Sequence, residues 1–275
     1  MKNNAGYGDS IELADRYYVN GQEIAWRCLA KYPLKDEVIV AAFSLITLIS
    51  KNNEVKERVL TEADLYGLNV PIEIARSSLN CSKNKPSMDR NQELLAAEVQ
   101  RKAAILLGSF SDNDSNFAKL AVNEGALEMI FDAANFYRMH HSTLKWLLWA
   151  LFTICFDNLH NKAHLIRISG LAKICVMMKT MVKNIDAQRH GLALLFDCLR
   201  NTGEQESYKI NILKIRSMAI NAGLHDIVVK SMEYHSNGSP EIAMMGREIL
   251  IGTGYDGVIP EYNGPSTTSL VYKDQ

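Results

Sequence analysis

His160 and His164 stand four residues apart, a spacing that would set both imidazoles on one helix face, as a divalent metal pair requires. Neither lies in the H-E-x-x-H arrangement of a zinc hydrolase, and Cys155 and Asp157 nearby complete no ligand set. Cys155, Cys175 and Cys198 offer thiols for nucleophilic chemistry, but each is bounded by apolar residues at helical spacing, where a thiol is inert. The chain contains no G-x-S-x-G, Walker, Rossmann or kinase signature. No catalytic residue, cofactor or metal ligand is therefore expected.

Binding chemistry is better represented. Between Lys162 and Arg216 ten lysines and arginines stand against four carboxylates, although the whole chain carries a net charge of −1. Lys173, Lys179, Lys183 and Arg189 fall along the flank of two adjacent helical segments, where they would face an acidic partner such as a protein tail or surface. The aromatic interleaving of a single-strand nucleic-acid site is absent there. The longest apolar run, Trp146 to Phe156, is broken only by Thr153 and is far shorter than the roughly 20 residues of a membrane span. The opening MKNNAGYGDS has no apolar signal core. Other proteins, in a cytoplasmic setting and without membrane insertion or nucleic acid, are the expected partners.

The elements that must carry these residues are helices. No proline occurs from Ser87 to Ser239, so strands and turns, which need frequent punctuation, do not suit that stretch. Apolar helical patterns recur at Val38–Ile49, Ala96–Phe110, Leu144–Phe156, Gln188–Leu199 and Glu241–Ile251, each closing on a polar turn. Superposed, they place Phe43, Ile105, Trp149, Leu194 and Arg247 in one position, at steps of 62, 44, 45 and 53 residues. Two of these steps match the period of about 40–47 residues typical of helical repeats. An inserted loop over residues 80–91 lengthens the first step, and the segment Glu204–Ile215 lengthens the last. Between the long helices, Gly125, Gly170 and Gly223 each precede an apolar helix start, as a helix-ending glycine with positive φ would.

A glycine-apolar turn opening one helix, followed by a longer apolar helix and a polar turn, resembles the armadillo repeat. Gly125–Ile154 matches best, and Gly170–Leu199 next. The resemblance implies an all-α, right-handed superhelical solenoid of about five repeats over residues 20–253, with an N-terminal arm at 1–19 and an extended or flexible tail at 254–275. In armadillo proteins that hold extended peptides, the last helix of each repeat presents a tryptophan and, four residues on, an asparagine. The corresponding groove positions here are Thr47, Ser109, Trp149 with Thr153, and Cys198, so one tryptophan and no asparagine occur. The implied function is a non-catalytic scaffold or adaptor within a hetero-complex, with a cytoskeletal or ciliary assembly as one setting. A cargo or peptide receptor using the concave groove is the alternative, and an enzyme or metal protein the third class.

Overall fold

The structure is a computed structural model that describes residues 20–62, 67–85, 87–200, 211–235 and 238–262. Among the described residues there are fourteen helices and no strand. They are α1 (20–31), α2 (Asp36–Ile49), α3 (Asn53–Thr61), α4 (Asn69–Asn84), α5 (Arg90–Ser111), α6 (Ser115–Asn123), α7 (Ala126–Phe136), α8 (His141–Cys155), α9 (Leu159–Arg167), α10 (Gly170–Thr180), α11 (Ile185–Leu199), α12 (Ile212–Asn221), α13 (Leu224–His235) and α14 (Pro240–Gly252). After α1 and α2, a triplet of short, medium and long helices recurs. It measures 9, 16 and 22 residues at α3–α5, then 9, 11 and 15 at both α6–α8 and α9–α11. Across α12–α14 the lengths are 10, 12 and 13.

Polar residues set the helix starts. The side chains of Asn52, Asp89, Asp114, Asn184 and Asn211 each accept a hydrogen bond from a first-turn amide, satisfying donors that the helix itself leaves open. The Asp89 cap and the burial of Leu79 and Ser82 correct one expectation. Most of residues 80–91 is helix: α4 continues to Asn84, α5 starts at Arg90, and only 85–89 separates them. Asn211 likewise caps α12, while 201–210 lies outside the described residues, as do the arm at 1–19 and the end of the tail from 263. Residues 254–262 contain no helix.

The turns repeat with the helices. Asn113 and Asp157, 44 residues apart, both have left-handed φ, at 56° and 52°. Gly125 and Gly223 take φ of 84° and 89°, as expected, but at the intervening turn the left-handed residue is Ser169, at 58°. Gly170 is already helical. It is small for another reason: a Cβ there would overlap the side chain and carbonyl of Leu165.

Contacts divide the chain into two compact units, within Met1–Asn161 and Lys162–Gln275, the division falling inside α9. In the first, α5 packs against α2, α4 and α8. Buried Gln100 on α5 donates to the Ala75 carbonyl of α4 at 2.9 Å, and Thr143 on α8 donates to the Ala97 carbonyl at 3.3 Å. In the second, α11 and α13 both pack on α14, and α10 packs on α11. Buried Gln188 on α11 donates to the carbonyls of Met178 and Met181, both at 2.9 Å, and accepts from Ser231 of α13 at 2.8 Å. The Gln188 amide, with its nitrogen and oxygen both paired outside α11, ties these segments in register, because a slip would leave it unpaired in an apolar core. Lys162 and Asp197 form an ion pair in this unit at 3.0 Å, their side chains 7% and 4% exposed.

Candidate functional site

The outward arc of α8 is aromatic. Lys145, Trp146, Trp149, Phe152, Thr153 and Phe156 fall within one side of the helix at 100° per residue, and all are half-buried or exposed. Trp146 and Trp149 meet edge-on with centroids 5.4 Å apart, and Phe152 lies 4.8 Å from Phe156. The Lys145 ammonium sits 5.8 Å from the Trp146 ring. Outward positions of a helix normally carry polar residues, so four aromatic rings left half-buried or exposed on one arc form an unusual apolar strip.

The same arc of α5, alongside, is polar. It carries Glu98, Arg101, Lys102, Ile105 and Ser109, all half-buried. Arg101 donates two hydrogen bonds to the Glu98 carboxylate, which raises the guanidinium pKa above its ordinary value. The face thus joins an aromatic ridge to a charged, hydrogen-bonding shelf. That combination suits a protein partner with an apolar anchor and a polar rim.

The expected groove residues divide at this point. Ser109 lies on the half-buried arc of α5 and Trp149 and Thr153 on that of α8, two helices that pack together, and Thr47 occupies the equivalent half-buried position on α2. The Thr47 and Thr153 hydroxyls donate back to their own helix, at 2.7 Å to the Phe43 carbonyl and 3.1 Å to the Ala150 carbonyl. Trp149 lies across α5 at Gly108, where a Cβ would overlap its ring. This tryptophan is therefore partly a packing residue. Cys198 is corrected outright: it is 1% exposed, and burial pushes its thiol pKa strongly up. Cys175 is buried likewise, its thiol pushed up to about 12. Neither is a nucleophile at neutral pH.

Lys173, Lys179 and Lys183 are exposed and Arg189 is half-buried, all in the second unit. Carboxylates of the same unit approach Lys179 and Arg189. Lys179 reaches Asp226 at 3.7 Å, which also holds Lys230 at 2.9 Å, and Arg189 lies 3.8 Å from Asp186. The local excess of positive charge is thus partly balanced within the fold. His160 and His164 are both on α9, and Arg167 hydrogen-bonds His164 at 2.8 Å.

No family model matches the chain, and comparison with curated proteins finds no significant match.

Sequence reasoning names Trp149 but omits Trp146, Phe152 and Phe156. Their spacing is readable, at intervals of three, six and ten from Trp146. Whether that arc points inward or outward depends on where α5 and α7 pack, which spacing alone does not decide.

Proposed function

We propose that this chain is a non-catalytic protein-binding scaffold built of armadillo-type repeats. The observation that carries the proposal is the aromatic arc of α8, held beside the polar arc of α5 by helices stacked in repeating order. The recurring short, medium and long triplets and the left-handed residue before α7, α10 and α13 support the armadillo assignment. Repeats of this kind bury a continuous core between neighbours and leave an extended surface for partners. A subunit role in a cytoplasmic hetero-complex, including a cytoskeletal or ciliary one, follows from that reading. A receptor for extended peptides is less well supported, because Thr47 and Thr153 spend their hydroxyl protons on their own helix and no asparagine accompanies Trp149.

The test is affinity capture with the wild-type chain and a Trp146→Ser variant, each checked by circular dichroism. Loss of a reproducible set of bound proteins in the variant, with helicity unchanged, supports the scaffold reading. Equal capture by both, or capture of none, refutes this face as the binding surface.

A further inference from the structure

A different face of the first unit carries a second, independent assignment. The row Ala41, Leu45 and Leu48 runs along α2, one turn apart at each step. Its counterparts are Ala103, Leu107 and Phe110 on α5, and Leu147, Leu151 and Ile154 on α8, and all six are fully buried. Both α5 and α8 have a preceding long helix packed against them, α2 and α5 respectively. α2 is instead preceded by the shorter α1, which borders the row along Ala41 and Leu45 without covering it. Accordingly Ala41 is exposed, Leu45 half-buried and Leu48 75% exposed. A groove between α1 and α2, lined by Ile24, Cys28, Val38, Ala41 and Leu45, widens this apolar strip.

Charge and size identify what covers it. Exposed Glu37 and Lys51 flank the same edge of the row, at opposite ends. The midpoint between them is Ser44, within half a residue of the midpoint between Ala41 and Leu48. A two-fold axis there, with a second α2 antiparallel to the first, places each Glu37 beside the other copy's Lys51. The same operation sets each large Leu48 over the other copy's small Ala41. A surface that complements itself in charge and in side-chain size about one axis is the signature of an isologous interface.

We propose that a second copy of this chain docks here, forming a two-fold dimer through antiparallel α2 helices. Sedimentation of the full chain over a range of concentrations tests it, the monomer having a mass of 30.8 kDa. The wild type should sediment as a concentration-dependent dimer, and Leu48→Lys should be a monomer of unchanged helicity. Glu37→Lys alone and Lys51→Glu alone should each weaken association by about tenfold, since each turns two attractive contacts repulsive. The double variant should return to within about threefold of wild type, because the reversed pair is again complementary. A wild type that stays monomeric overturns the proposal. So does a dimer that appears only after residues 1–19 are removed, since those residues would then be the occupant. A dimer indifferent to Leu48→Lys, or a double variant no better than the singles, overturns it equally.

Discussion

Replacing Lys162 by methionine removes the cation nearest to Asp197 while keeping the length of the side chain. The two groups are 3.0 Å apart, and neither is more than 7% exposed. Breaking such a buried pair from one side costs about 3–5 kcal/mol, because the remaining charge stays out of water. Arg200 lies 3.9 Å from the same carboxylate but is 51% exposed, so its attraction is screened and contributes at most about 1 kcal/mol. The expected loss for Lys162→Met is therefore near the lower end, about 3 kcal/mol. With a urea m value of about 1–3 kcal/mol per molar, the unfolding midpoint should fall by about 1–3 M. Far-ultraviolet circular dichroism against urea reads this directly. The double variant Lys162→Met with Asp197→Leu should recover to within about 1 kcal/mol of wild type, since an apolar pair of similar volume replaces both charges. A single-variant loss below about 1 kcal/mol would refute the claim that the pair is desolvated in the folded chain.

Four other outcomes follow from particular contacts. Gly108→Ala should cost about 1–3 kcal/mol in thermal unfolding and alter the near-ultraviolet signal of the tryptophans, because its methyl displaces the Trp149 ring. Gly223→Ala should cost about 1–2 kcal/mol, most of it recovered by Gly223→Asn, since only backbone conformation opposes a side chain there. Gly170→Ala and Gly170→Asn should both lose stability by about 1–3 kcal/mol, because the obstacle is Leu165 and not φ. His225 meets Thr253 Oγ1 at 2.9 Å and the Tyr255 ring at 5.1 Å, and burial lowers its pKa below the ordinary value of 6.5. A histidine whose folded pKa is depressed stabilises the fold fully above pH 6.5 and loses that contribution as pH falls toward its folded value. Limited proteolysis within 254–262 should accordingly be faster at pH 5 than at pH 7.5, and His225→Gln should remove most of the difference.

The long helices were legible because burial on one side imposes a 3.6-residue period on apolar residues. The expected Gln188–Leu199 and Glu241–Ile251 differ from α11 and α14 by only a few residues. Their starts were less so: Asp89 reads as part of a polar loop until its carboxylate is seen to cap α5. Gly170 was misassigned by one position because glycine suits both a left-handed turn and a close approach. Only coordinates separate Ser169, which bends the chain, from Gly170, which admits Leu165. Register with Thr47 and Thr153 puts Cys198 on the groove face. All three share a register, yet α11 is covered at that position where α2 and α8 are not.

By itself the sequence determined that this chain is helical and that apolar helical patterns recur along it. These depend on local spacing and composition, which the chain carries everywhere. Only the tertiary structure decided which arc of each helix remains open: aromatic on α8, charged on α5, apolar on α2. Exposure is a property of neighbours, and residues of one register are buried or offered to partners according to what packs beside them.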